Sequence, residues 1–241
     1  NVSFAYAGSD EYSLEDIQLQ IRRGETIGII GGTGSGKSTL INLIPRFYEA
    51  TKGAVLVDGV NVKEYPFEQL RTQIGLVPQK ATLFSGTIRE NLQWRKENAT
   101  DEEIARALSI AQASEFVDAL PEKYDAVIDQ GGKNLSGGQK QRLTIARALV
   151  GEPELLILDD SASALDFATD AALRQAIRRE TKNMTVILVS QRASTIRNAN
   201  QIVVLDDGRV AGIGTHQQLM STCETYREIC LSQLSSEEVG A

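Results

Sequence analysis

Hydrophobic positions along the chain fall into two kinds of run. Short, nearly unbroken apolar stretches of strand length stand at Val2–Tyr6, Ile17–Ile21, Thr26–Ile30, Ala54–Val57, Leu155–Leu158, Met184–Val189 and Gln201–Leu205. Arg23-Gly24 and Asp58-Gly59 punctuate the first group as turns. Longer segments carry apolar residues three and four apart, the spacing of one helix face: Ser38–Phe47, Asp101–Ala113, Gln139–Leu149 and Asp166–Glu180. Thr215 with Gln218 makes a capping-box pair, which predicts a last helix over roughly His216–Ser232. Strands and helices alternating at this spacing predict an α/β fold with a parallel sheet. The helical block from about Ser85 to Leu149 predicts an inserted subdomain, and Ser235–Ala241 a frayed tail. Because Asn1–Tyr6 reads as a strand entered partway, the natural chain is expected to continue upstream.

Composition narrows the function classes. A chain of 241 residues, 41% hydrophobic and 24% charged, has ample length to bury a core, and is neither collagen-like nor wholly disordered. Its formal net charge of −7 argues against a sequence-independent grip on nucleic acid, which needs Lys and Arg to displace counterions. Apolar runs such as Leu155–Leu158 and Val186–Val189 are far shorter than the ~20 residues that span a bilayer, and no signal peptide is visible. Cys223 and Cys230 lie on one predicted helix and suit a reduced environment, either as core packing or as a redox pair. The single histidine is His216, so no mechanism can use a histidine elsewhere.

Three motifs carry chemistry. Gly31-Gly32-Thr33-Gly34-Ser35-Gly36-Lys37-Ser38-Thr39 matches the phosphate-binding loop, set between an apolar strand and a helix as that motif requires. Its glycines let backbone N–H groups converge on a polyphosphate. Lys37 is placed to reach the β- and γ-phosphates, and Ser38 to offer a hydroxyl to Mg²⁺. A glycine-rich turn without ligand needs neither Lys37 nor so many glycines. Leu155-Leu156-Ile157-Leu158-Asp159 delivers a carboxylate at a strand end, where α/β sheets gather ligands, so Asp159 is a candidate for Mg²⁺. Ser136-Gly137-Gly138-Gln139, ahead of Lys140 and Arg142, is either a second anion-binding element or a capped helix with a flexible entry.

From Val2 to about Gln233 the sequence resembles the nucleotide-binding domain of an ABC transporter, and Asn134–Arg142 resembles that family's signature. The resemblance implies an α/β, P-loop NTPase core at 1–79 and 151–241, with an antiparallel β subdomain and an α-helical subdomain inserted at 80–150. It makes Tyr6 the aromatic that stacks on adenine, unless it is an ordinary strand aromatic, and Gln79 the residue that senses Mg²⁺ and joins core to helical subdomain. Ser163-Ala164-Leu165-Asp166 resembles the loop that crosses to a partner, and Leu83–Leu92 is typical of exporters. Trp94 reads as structural within the helical subdomain, with docking on a membrane domain as the alternative.

Two catalytic positions depart from the family pattern. Asp160 stands where the family usually has Glu, and Gln191 where it usually has His; Gln130 replaces the Glu of many exporters ahead of the signature. His216, by resemblance at the start of the last helix, cannot substitute. These changes resemble the impaired member of heterodimeric exporters. The implied activity is hydrolysis of ATP, with Mg²⁺, driving export at the cytoplasmic face of a membrane. The implied partners are a second nucleotide-binding domain, in a heterodimer or homodimer, and an upstream transmembrane domain, with no nucleic acid. A soluble ATPase switch and a module that binds ATP without turning it over are the alternatives.

Overall fold

The computed structural model describes residues 1–161, 163–181 and 183–239, with 234–239 as backbone alone. They fold into two compact units, one of Asn1–Ile74 with the chain from Thr185 onward, the other of Gly75–Met184.

The first unit begins with β1 (Val2–Phe4), β2 (Leu14–Ile17), β3 (Thr26–Ile30), α1 (Lys37–Leu43), β4 (Leu56–Val57), β5 (Val60–Asn61) and α2 (Phe67–Gln73). β1 pairs antiparallel with β2, and β4 with β5, giving the antiparallel pieces expected near the N-terminus. The strand expected at Ile17–Ile21 lies earlier, and the ladder explains why. Ile17 pairs with Val2, the first residue of β1, so residues beyond Ile17 have no strand to pair with. α1 stops at Leu43 rather than Phe47 because Pro45 has no N–H to continue the ladder.

The second unit holds β6 (Ile74–Val77), β7 (Gly86–Thr87), α3 (Ile88–Gln93), α4 (Asp101–Ile110), α5 (Ser114–Asp118), β8 (Val127–Ile128), α6 (Gly137–Leu149), β9 (Leu155–Asp159) and α7 (Phe167–Glu180). Capping boxes open α3 (Thr87 with Glu90), α4 (Thr100 with Glu103) and α6 (Ser136 with Gln139). Each satisfies two backbone N–H groups that a helix start leaves without an intrahelical partner. α3 and α4 pack on α6, and β9 neighbours β6.

The chain returns to the first unit through β10 (Thr185–Val189), α8 (Ala193–Ile196), β11 (Gln201–Asp206), β12 (Arg209–Gly214), α9 (His216–Thr222) and α10 (Glu224–Val239). Its strands stand in the order β12-β11-β3-β10. β3 runs parallel to both neighbours, with Ile29 opposite Val189 and Val203. Ile27, Ile29, Ile187, Val203 and Val204 are buried, the near-continuous apolar content that parallel strands covered on both faces require. Gly28 admits α8 closely, since a Cβ there would lie 2.7 Å from Ile196 Cβ.

The single last helix expected from the capping box is two helices. Cys223 breaks them with extended backbone (φ −118°, ψ 110°), and its thiol then donates to Ala211 O of β12 at 3.8 Å. Both cysteines are buried. The tail expected to fray from Ser235 is helical to Val239, and residues 240 and 241 lie outside the described residues. Among the described residues no helix is long and apolar enough to cross a membrane.

Candidate functional site

In the first unit, the loop between β3 and α1 is shaped by its glycines. Gly34 and Gly36 take φ of 83° and 95°, backbone that side chains resist. A Cβ at Gly31 would sit 2.2 Å from Leu205 O, whereas Gly32 and Gly34 face open space. Lys37 folds back over the loop, its ammonium donating to Gly31 O at 2.8 Å and Gly32 O at 2.7 Å. Ser35 Oγ lies 3.4 Å from the same nitrogen. The loop's own carbonyl oxygens thus accept from the Lys37 ammonium.

Beside the loop lies a cavity of about 290 Å³ bounded by Gly34, Gly36, Lys37, Ser38 and Thr39. Tyr6, beyond the end of β1, lines it too. Its hydroxyl is 2.9 Å from Oγ1 of the buried Thr39. Edge-type contacts with Phe4 and Tyr48, at 4.8 and 5.3 Å, brace the ring while 40% of the residue stays exposed. Tyr6 is thus a braced, partly exposed ring rather than an enclosed core residue.

Four lining residues carry no motif: Tyr12, Ser13, Asp207 and Gly208. An Asp-Gly pair after an apolar run signals a turn, and Asp207-Gly208 is the turn joining β11 to β12. Its location beside the loop is tertiary: Gly208 N–H donates to Ser35 O at 3.3 Å and Gly208 O accepts from Glu15 N–H at 2.8 Å. The Lys52 ammonium lies 5.0 Å from the Tyr12 ring centroid, and a hydrogen bond to that phenol raises its pKa.

Gln191 follows β10 with its side chain exposed. His216 is occupied elsewhere in this unit, its Nδ1 2.9 Å from the hydroxyl of the buried Tyr226. Burial pushes that phenol's pKa well up.

In the second unit Asp159 ends β9, and Asp160 follows it in left-handed backbone (φ 43°). The carbonyl of Asp160 accepts from Ser163 N–H at 3.2 Å and Ser163 Oγ at 2.9 Å. Gln79 Nε2 donates to Asp160 Oδ2 at 3.4 Å, so two of the sequence-predicted residues meet.

Ser136 Oγ accepts from Gln139 N–H at 3.2 Å, and Gln139 Oε1 accepts from Ser136 N–H at 2.9 Å. Accepting uses a lone pair of the hydroxyl and not its proton, so capping α6 is compatible with donating to an anion. Gly137 faces open space. Asp166 caps α7, and hydrogen bonds from the Thr169 hydroxyl and amide hold its carboxyl below the usual range. Trp94, 71% exposed, stacks on Phe84 at 4.6 Å. It is a surface residue rather than a core one.

Comparison with known proteins gives the chain's family. The family model described as ABC transporter matches residues 14–163. An uncharacterised ABC transporter ATP-binding protein of Bacillus subtilis, YfiB, is 47% identical over 98% of this chain and 41% of its own length. A Staphylococcus aureus protein, named as a candidate multidrug export ATP-binding/permease protein, is 44% identical over 95% of this chain and 40% of its own. The structure of a bacterial Atm1-family ABC exporter with ATP bound matches at a TM-score of 0.92 and 35% identity, over 97% of this chain and 41% of that one. The chain belongs to the ABC transporter family, as an ATP-binding domain with the fold of an ABC exporter's ATPase. It spans about two fifths of the length of these relatives.

Proposed function

We propose that this domain binds Mg·ATP and hydrolyses it to drive export through a membrane domain, working at the cytoplasmic face of a membrane. The observation that carries the reading is the loop at 31–39, with Gly32 and Gly34 facing open space and the Lys37 ammonium folded onto the carbonyls of Gly31 and Gly32. Gly31–Thr39 hold the phosphates, Lys37 engages their terminal oxygens, and Tyr6 stacks on adenine. By the family resemblance the Ser38 hydroxyl, the Asp159 carboxylate and the Gln79 amide would be the magnesium donors, and each offers oxygen, the ligand type that this hard cation takes. When bound, the ion neutralises charge on the β- and γ-phosphate oxygens.

Residues 80–150 act as the helical subdomain around Ser136-Gly137-Gly138-Gln139, which serves the nucleotide of a second nucleotide-binding domain in a head-to-tail dimer. Two-fold symmetry makes the contact reciprocal. Asp160 is the base-side carboxylate and Gln191 the γ-phosphate contact of this chain's own site. Both depart from the family pattern toward slower turnover, which favours a heterodimer with a more complete partner. Nucleotide titration tests the core of the proposal. Lys37→Ala is expected to weaken ATP binding tenfold or more, about 1.4 kcal/mol; equal affinity in wild type and variant defeats the assignment.

A further inference from the structure

Between β10 and α8 the chain makes a short turn that contains Gln191. One end is tied to the strand that feeds the phosphate loop: Ser190 N–H donates to Ile29 O at 3.1 Å. The Ser190 hydroxyl, buried, accepts from Arg192 N–H at 3.0 Å and closes the turn on itself. The other tie comes from a distant part of the sequence. Gln233, on α10, donates from Nε2 to Gln191 O at 2.7 Å and accepts at Oε1 from Ala193 N–H at 2.8 Å.

One planar amide therefore bonds the carbonyl of residue 191 and the N–H of residue 193, as a residue of an adjoining parallel strand would. Its orientation is fixed by chemistry. Reversing the amide would set oxygen against oxygen and N–H against N–H. α10, which carries Gln233, is itself anchored by the buried Tyr226 and Cys230 and by the bond from Tyr226 to His216. The backbone of Gln191 is thus held between two fixed points, one on β3 and one on α10, while the residue stays exposed.

We propose that Gln233 is a positioning residue for hydrolysis: its amide fixes the turn after β10 and so sets where the Gln191 side chain reaches. This rests on the reading of Gln191 as the γ-phosphate contact. No part of ATP binding depends on it, because the phosphate loop is formed without Gln233. Loosening the clamp displaces a reacting contact, and a displacement of about 1 Å costs up to roughly 100-fold in rate.

The test uses the full-length protein in its assembled dimer, with the partner's site disabled, measuring single-turnover rate and ATP affinity together. Gln233→Leu removes both bonds. Gln233→Glu keeps the side-chain size and the bond from Ala193, but faces the Gln191 carbonyl with an oxygen. Both variants are expected to slow turnover by about tenfold or more with ATP affinity unchanged. In a Gln191→Ala background, Gln233→Leu is expected to add no further loss, because the clamp then has nothing to position. Where Gln191→Ala slows turnover but both Gln233 variants match wild type, the clamp is refuted. Full additivity of the two losses refutes it as well, since Gln233 would then act through something other than Gln191. A wild-type rate in Gln191→Ala overturns the role of Gln191 itself, and the clamp falls with it. Should Gln233→Leu fail to fold, Gln233→Glu carries the same comparisons.

Discussion

Gln79 donates through Nε2 to Oδ2 of Asp160 at 3.4 Å, joining residues 81 positions apart. The residue expected to sense Mg²⁺ thus bonds directly to the carboxylate expected to act on water. Asp160 is one methylene shorter than the Glu of the family pattern, and its backbone is left-handed. Asp160→Glu therefore regains reach at a backbone cost of about 1 kcal/mol. Measured by single turnover against a disabled partner site, it is expected to hydrolyse ATP about 10- to 100-fold faster. Adding Gln191→His is expected to raise the rate again. If wild type already matches the double variant, the slow-site reading is wrong.

Tyr6 offers a separation of ring from hydroxyl. Tyr6→Phe loses the 2.9 Å contact with Thr39 but keeps the platform, so ATP affinity is expected to fall by about 1 kcal/mol or less. Tyr6→Ala removes the stacking surface and is expected to lose about 1–3 kcal/mol. Calorimetric titration reads both, and wild-type affinity in Tyr6→Ala removes adenine stacking from the account.

Ser136 has a capping role and a proposed partner-facing one, and two variants divide them. Ser136→Ala loses the cap of α6, about 1 kcal/mol, or roughly 2–4 °C in Tm. Ser136→Asn keeps a capping oxygen but lacks the hydroxyl. Both are expected to impair ATP-driven association in light scattering, while only Ser136→Ala melts early. Association that responds to neither ATP nor Ser136 leaves the head-to-tail dimer without support.

Asp166 gives a signed pH dependence. Its folded pKa is lowered below the ordinary 3.8, first by the Thr169 hydroxyl and then by the Thr169 amide. A depressed carboxyl binds its proton less readily when folded. Its capping contribution is therefore complete above the ordinary value and is lost as pH falls through the lower folded one. The Thr169 amide proton resonance is expected to move as the bond weakens below about pH 4, and Asp166→Asn to abolish that movement. A resonance unchanged in wild type from about pH 5 to about pH 2 contradicts the cap's titration.

Sequence pattern revealed most where burial is total or the backbone unusual. β3 and β10 are legible because a covered parallel strand needs continuous apolar residues, and the phosphate loop because few other folds need so many glycines before Lys37. β12 is hidden: its residues alternate between exposed and half-buried, and two of its six are glycines, so no apolar run marks it. α2 is hidden too, with Leu70 buried but Phe67 exposed. Asp207 announces a turn in the sequence, but its place beside the phosphate loop comes from the bond of Gly208 to Ser35. Gln233 has no pattern at all. A lone polar residue on a helix becomes meaningful only when its two bonds to the turn after β10 are seen.

The central position of β3 has a consequence for the order in which a ribosome can deliver this domain. Both neighbours of β3, β10 and β11, are made only after residues 31–184 have been translated. The strand leading into the nucleotide loop therefore leaves the exit tunnel with neither hydrogen-bonding edge satisfied, and its burial must wait for the last quarter of the chain. A nascent chain ending before Thr185 carries every glycine of that loop, and Lys37 with them, yet has no sheet to hold it. Nucleotide capture by this unit is in that sense a late event of biosynthesis, and truncations from the C-terminal side should abolish it before any loop residue is lost.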